Sequence, residues 1–279
     1  KDVPGIGKKM IEKIDEIIET NQLETLNKLK KLYDVAKDSI EHKENLQNVL
    51  GFGDSKIKQL EDKFSITTVS ELYNYIKKHN NINDLGLTNQ QKVGIKYHKE
   101  LSKKVARDEA EKITESVKKV LSSSSKQLIK KASLSIELAG SFASSLTKES
   151  KDIDILISSS KFKEKEEIES TTLMRDIVIE LMDAGLITDN ITLGSNKFLG
   201  VIQLNSKTKH RHLDMRLVNS ESYIYAKLYY TSGAIFNKMM RSQAKKQKLK
   251  LNEWGLYDSN NRLVPGIKTE KDIFEKIKM

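Results

Sequence analysis

The sequence predicts an α+β protein whose N-terminal half is helical, and three observations carry that expectation. Residues 1–120 place apolar side chains at helical spacing between short glycine-bearing turns. Beyond the serine run Ser122 to Ser125 the apolar runs become short and β-branched, as strands require. Only two prolines occur, Pro4 and Pro265, so no proline-rich linker interrupts the chain.

Taken in order, Ile11, Ile14, Ile17 and Ile18 define a first helix, and Leu23, Leu26 and Leu29 continue the pattern. A second helical unit begins near Leu46, with a further apolar stripe at Leu72, Tyr75 and Ile76. A charged helix spans about Asp108 to Leu121, and the four serines break it. Leu134 to Leu138, Ile153 to Ile157, Phe198 to Leu204 and Leu213 to Val218 read as strands, with a helix over about Thr172 to Ala184 between two of them. A mixed helical pattern returns around Ile235 to Leu249.

Composition narrows the function. The 279 residues carry 49 Lys plus Arg against 39 Asp plus Glu, a formal charge of +10. There is no cysteine, which excludes a disulfide-stapled domain and any cysteine-ligated zinc or iron–sulfur site, and fits an intracellular, reducing compartment. No apolar run approaches the ~18 residues of a membrane span, and no secretory leader pattern opens the chain, so no membrane partner is expected. The chain opens at Lys1 inside a motif, the expectation for a cut edge. A strongly basic protein calls for an anionic partner, and nucleic acid leads that list; the plain alternative is lysine used for solubility.

One pattern occurs twice. Val3-Pro4-Gly5-Ile6-Gly7-Lys8-Lys9 and Val49-Leu50-Gly51-Phe52-Gly53-Asp54-Ser55 both read apolar-x-Gly-apolar-Gly before a helix. Two glycines allow a tight turn that presents amides at a helix N-terminus to a phosphate. Carbonyls in the same turn can coordinate a monovalent cation, Na⁺ or K⁺, that bridges to a DNA backbone. The pattern resembles the helix-hairpin-helix motif, which binds DNA without reading sequence; the plain alternative is a pair of αα-hairpin turns.

The carboxylates carry the chemistry. On a strand, Asp152 and Asp154 project to one face while Ile153, Ile155 and Ile157 go to the other. In the same way His212, Asp214 and Arg216 oppose Leu213, Met215 and Leu217. If these strands are neighbours, Asp152, Asp154 and Asp214 form a cluster suited to two Mg²⁺ ions, the arrangement for in-line attack on a phosphoryl group, with Mn²⁺ able to substitute. D-x-D alone recurs often by chance, as a pair of turn formers. Here Gly140-Ser141 follows a strand twelve residues upstream, and a Gly-Ser turn before an acidic strand is the nucleotidyltransferase signature.

From these residues the resemblance widens to nearly the whole chain. Val3 to Lys9, Gln91-Lys92-Val93-Gly94-Ile95-Lys96-Tyr97, Ala139-Gly140-Ser141-Phe142 and Asp152-Ile153-Asp154-Ile155-Leu156 occur in order. Leu213-Asp214-Met215-Arg216-Leu217, Tyr229 to Lys238 and Leu251-Asn252-Glu253-Trp254 come after them. The series resembles the family X DNA polymerases.

The resemblance implies a nucleotidyltransferase palm at 111–219, preceded by the remainder of a lyase-like helical domain at 1–32 and a helical DNA-binding subdomain at 33–110. A small α+β subdomain that selects the nascent base pair would lie at 220–279. It implies a monomeric enzyme that fills short gaps in gapped or nicked DNA from a dNTP, with a DNA ligase as a candidate partner. Asp152 and Asp154 would bind both metals and Asp214 the catalytic one. Gly140, Ser141, Tyr229, Tyr230, Ser232, Gly233 and Asn237 would meet the nucleotide. Gly5, Gly7, Lys9, Gly51, Gly53, Ser55, Lys238, Arg241 and Arg216 would meet DNA. Lys13 matches a Schiff-base nucleophile for 5′-deoxyribose phosphate lyase chemistry, with Lys9 as its phosphate contact. Two other readings stand beside this one: a template-independent nucleotidyltransferase, and a DNA-binding module without catalysis, against which the three aspartates argue.

The chain departs from the family pattern in three places. After the Gly-Ser turn the family has arginines; here the chain reads Ala143-Ser144-Ser145. A neutral Ser144 cannot make a charge-assisted bidentate contact, so triphosphate binding should lean on metal, Ser141, backbone amides, or Lys148 or Lys151. Thr231-Ser232-Gly233 reverses the family's Gly-Ser order, and His212 replaces a basic residue beside Asp214. Weaker nucleotide affinity or altered fidelity is the expected result.

Overall fold

The computed structural model describes residues 8–28, 30, 45–79 and 82–279, and the chain divides into two compact units, Lys1–Gly86 and Leu87–Met279. The first glycine hairpin, with Gly5 and Gly7, lies outside the described residues.

In the first unit, α1 spans Lys8–Thr20. The second hairpin is described in full. A one-turn 3-10 helix, Leu46–Asn48, is capped by the Asn45 side chain, which accepts from the Gln47 amide at 2.8 Å. Gly51 then takes a left-handed φ of +83° that a side chain would disfavour. Gly53 caps α2 (Asp54–Phe64), its carbonyl accepting from Lys56 and Ile57. A Cβ added at Gly53 would meet nothing within 4 Å, so the fold itself does not require glycine there. Helix α3 (Val69–His79) is held at its start by Glu71, which accepts from the Thr67 and Thr68 amides. The Lys56 ammonium is buried and donates to the carbonyls of Leu85 (2.7 Å) and Gly86 (2.9 Å) and to Gln59 Oε1 (3.0 Å).

The second unit opens with α4 (Asn89–Lys96) and α5 (His98–Leu101), so these helices, placed by sequence with 33–110, belong instead to the unit that holds the sheet. Asn89 donates to the Asn190 carbonyl, Lys96 pairs with Asp189, and Glu100 pairs with His210. Strand β1 (Val105–Ala106) leads into α6 (Arg107–Ser122), then α7 (Gln127–Ala132), β2 (Leu134–Leu138) and β3 (Glu149–Ser150), which pairs with β1. The remaining order is β4 (Asp152–Ser159), α8 (Lys165–Glu169), α9 (Leu173–Asp183), β5 (Ile187–Leu193), β6 (Lys197–Ile202) and β7 (Arg211–Asn219). Helices α10 (Tyr223–Thr231) and α11 (Ala234–Lys246), the hairpin β8 (Lys250–Asn252) and β9 (Gly255–Tyr257), and α12 (Glu270–Ile277) complete it.

Five strands form one mixed sheet in the order β2-β4-β7-β6-β5, with β4 and β7 parallel and every other pair antiparallel. The apolar faces of β4 and β7 pack with Phe198 against α6 and α9, where Ile153, Leu213, Met215, Ile113 and Ile177 are fully buried. The other face is covered by Ala139, Leu156, Val218 and Ala226, with Tyr223, Tyr230 and Trp254 against them. Strand β5 escaped the sequence reading because Asp189 and Asn190 break its alternation and two register shifts bend it along β6. The C-terminal segment has its own core of Tyr225, Leu228, Met240, Leu256, Ile273 and Ile277. No helix among the described residues is long and apolar enough to cross a membrane.

Candidate active site

The parallel pairing of β4 and β7 sets the register of the acidic face: Asp152 lies opposite His212, Asp154 opposite Asp214 and Leu156 opposite Arg216. Like charges directly opposite on a sheet repel. Burial, then Asp152 and Asp214, push the Asp154 carboxyl from its ordinary 3.8 up to about 7. Burial also raises Asp214, against the pull of Arg216. His212 shares this face; burial lowers its pKa and its Nε2 has no hydrogen-bond partner among the described residues.

The turn after β2 closes against the carboxylates. The Ala139 amide donates to the Asp154 carbonyl at 2.8 Å, and Gly140 comes next with φ +56°. A Cβ at Gly140 would lie 1.8 Å from Asp154 Oδ2, so this glycine makes room for the carboxylate. Ser150 Oγ donates to Asp152 Oδ1 at 3.1 Å. Ser141 is exposed on the one-turn helix Gly140–Ala143.

Arg216 engages Asp214 with Nη2 to Oδ2 at 3.0 Å and Nε to Oδ1 at 2.9 Å, the second contact too poorly aligned to be a hydrogen bond. Its guanidinium also lies 5.5 Å from the Tyr230 ring centre. The expected DNA contact is therefore held inside the site. Among the described residues no three acidic or histidine side chains converge on one point, because Asp214 is turned to Arg216 and Asp154 to the Gly140 turn. The donor chemistry nonetheless fits a hard divalent cation: three oxygen ligands share one face, and their mutual repulsion is what a bound cation relieves.

A cleft of about 320 Å³ joins these residues to the C-terminal helices, lined by Gly140, Asp154, Tyr229, Tyr230, Ser232, Ala234, Asn237, Lys238 and Arg241. Most residues expected at the nucleotide thus meet in one place. Asn237 is buried and its Nδ2 donates to the Tyr229 carbonyl at 2.9 Å, which ties α11 to the end of α10. The buried Ser232 Oγ has no partner among the described residues. Gly233 caps α11 with open space around it. Lys9 and Lys13 are exposed one turn apart on α1 in the first unit, and Ser55 lies in the first turn of α2.

Sequence reasoning missed two arginines. Arg211, 4 % exposed, donates Nε and Nη2 to Glu109 at 2.7 Å each and Nη1 to the carbonyls of Lys103 and Lys104, which fixes the start of β7 against α6. Arg107 binds the segment after Gly140. Apart from the one-turn pair of Arg107 with Glu111, their partners are carbonyls and a distant carboxylate, which leave no spacing pattern.

Asp154→Asn is expected to stabilise the metal-free protein. Because the folded-state pKa is raised, the folded chain holds a proton that the unfolded chain releases between about pH 4 and 7, so stability falls as pH rises through that window. In a chelating buffer near pH 8 the variant should melt at least about 3 °C above wild type, and the gain should shrink toward pH 5. Thermal melts at the two pH values check this; equal melting temperatures near pH 8 count against it.

A mixed sheet with carboxylates facing across two parallel strands, a glycine turn against one of them and a cleft leading away defines a nucleotidyltransferase palm. Comparison with known proteins agrees: residues 104–220 match the DNA polymerase beta palm family and residues 226–279 the DNA polymerase beta thumb family, together more than half of the chain. The chain belongs to the family X DNA polymerases. It is 27% identical to DNA polymerase lambda of Rattus norvegicus over 293 aligned positions, covering 98% of this chain and 45% of that protein. Against DNA polymerase lambda of Arabidopsis thaliana it is 22% identical, covering 99% of this chain and 51% of that protein. The chain therefore spans about half the length of the curated relatives it matches. Its fold is shared with Leishmania infantum polymerase beta in a ternary gap complex, with a TM-score of 0.73, 24% identity and coverage of 84% and 85% of the two chains. Divalent metal use is a property of the family.

Proposed function

We propose that this chain is a template-directed DNA polymerase that fills short gaps, transferring a nucleotidyl group from a dNTP to a primer 3′-hydroxyl. The observation that carries the reading is the shared cleft, in which Asp154 and Gly140 of the palm face Tyr229, Tyr230, Ser232, Asn237 and Arg241 of the C-terminal segment.

Asp152, Asp154 and Asp214 are the residues that would hold Mg²⁺, which when bound supplies neutralisation of phosphoryl charge. The chain's own groups do the positioning. Asp214 must leave Arg216 to act, and Arg216 then has Tyr230 as its remaining neighbour. The turn at Gly140 and Ser141 receives the triphosphate, and the open space at Gly233 leaves room for the sugar. Lys238, Arg241, Lys245 and Lys250 line a second cleft of about 580 Å³ and form no ion pair among the described residues, which suits a DNA strand's phosphates. In the first unit Gly53 leaves its surroundings open to a backbone phosphate, with Na⁺ or K⁺ at the hairpin carbonyls.

The test is incorporation on a one-nucleotide gapped duplex with Mg²⁺, beside the same primer without a template. Addition of the complementary nucleotide only on the gapped duplex is the expected result. Equal addition without template would assign a template-independent transferase. No addition to either would assign a non-catalytic DNA-binding module.

A further inference from the structure

Arg107 opens α6, and both its backbone and its side chain are committed to the segment just after Gly140. Its amide donates to the Lys148 carbonyl at 2.9 Å. Its Nε donates to the Thr147 carbonyl at 2.8 Å, and its Nη2 donates to the carbonyls of Phe142, at 2.9 Å, and Ser144. The guanidinium carbon lies 5.4 Å from the centre of the buried Phe142 ring, and Nη1 reaches Glu111 at 3.3 Å. One cation thus gathers three carbonyls of a short turn onto one side.

That gathering has a consequence for the amides. Across a trans peptide the carbonyl and the next N–H point in opposite directions. Drawing the Ser144 carbonyl to Arg107 turns the Ser145 amide away from it, and that amide takes no hydrogen-bond partner among the described residues, whereas the Thr147 amide donates to the Ser144 carbonyl at 3.1 Å and the Leu146 amide to Ser144 Oγ at 3.3 Å. The stretch Ser141-Phe142-Ala143-Ser144-Ser145-Leu146 has no charged side chain. Whatever this turn offers an anion must come from its amides and hydroxyls, and those need a rigid backbone to act together.

We propose that Arg107 is the positioning residue of a triphosphate-binding turn: it contacts no phosphate, and by holding the carbonyls of residues 142, 144 and 147 it fixes the backbone so that the unpartnered Ser145 amide is presented to the nucleotide. This rests on the polymerase reading for its substrate and explains how a turn without arginine still binds one. Arg107→Lys keeps the charge and loses the planar fork, so it reaches fewer carbonyls; Arg107→Met loses both.

Two measurements test it on the full chain with gapped DNA. In single-nucleotide gap filling, Arg107→Met should raise KM for the dNTP about tenfold with kcat held within about threefold and affinity for gapped DNA unchanged, and Arg107→Lys should fall between. In hydrogen exchange with dCTP and non-catalytic Ca²⁺, the Ser145 amide of wild type should be slowed severalfold, and Arg107→Met should lose that slowing. If Arg107→Met does not fold, Arg107→Lys decides by the same two readouts. A wild-type KM together with wild-type protection in the folded variant overturns the proposal, as does absence of dCTP protection in wild type. No incorporation by wild type with protection intact would overturn the polymerase reading and leave the role of Arg107 standing.

Discussion

Asp214→Ala is expected to lower gap-filling incorporation by at least about 10³-fold while leaving the fold and the affinity for gapped DNA close to wild type. The size comes from how phosphoryl transfer is catalysed: positioning and charge neutralisation supply almost all of the acceleration, and neither survives loss of a carboxylate opposite Asp154. The small structural effect comes from the side chain's partners. Among the described residues Asp214 is hydrogen-bonded only to Arg216, which can fall back on Tyr230 and solvent. Single-turnover incorporation, a thermal melt and an anisotropy titration with gapped DNA check the three parts. Incorporation equal to wild type would refute the assignment of the acidic face.

Gly140→Ala should be the most damaging single methyl group in the palm. At φ +56° an alanine is strained by about 1–2 kcal/mol, and its Cβ would collide with Asp154 at 1.8 Å. The carboxylate must swing away, so kcat is expected to fall about 10²-fold through misplacement alone, with a loss of a few degrees in melting temperature. In an Asp154→Ala background the obstacle is gone, and the stability cost should shrink to the backbone part. Additive melting shifts in the double variant would show that the two residues do not touch.

Strand faces were legible because their period is two. Asp152 and Asp154 on one side, with Ile153, Ile155 and Ile157 on the other, needed only alternation, and the structure keeps it. Sequence placed Asp214 and Arg216 on one face as well, yet gave no means of seeing that the arginine would turn the aspartate toward itself. The parallel register of β4 with β7 was a condition, not a deduction, since nothing local encodes which strand lies beside which. Strand β5 was hidden by its own Asp189 and Asn190, polar positions that break its alternation where its register along β6 shifts. The work of Arg107 and Arg211 was out of reach because backbone carbonyls are present at every position and a guanidinium finds them only in the folded chain.

Trp254, the only tryptophan in the chain, lies between β8 and β9 and packs toward the face of the sheet lined by Ala139, Leu156 and Val218. Its carbonyl accepts from Ser222 Oγ at 2.9 Å, and the Lys165 ammonium lies 5.2 Å from its ring. One indole thus stands where the C-terminal hairpin meets the catalytic sheet, with a cation beside it. Excited at the red edge where tyrosine does not absorb, its emission colour and quenching register the polarity and charge at that junction. The protein therefore carries a native optical gauge: a shift of the hairpin against the sheet when DNA or nucleotide arrives can be tracked in real time without a dye.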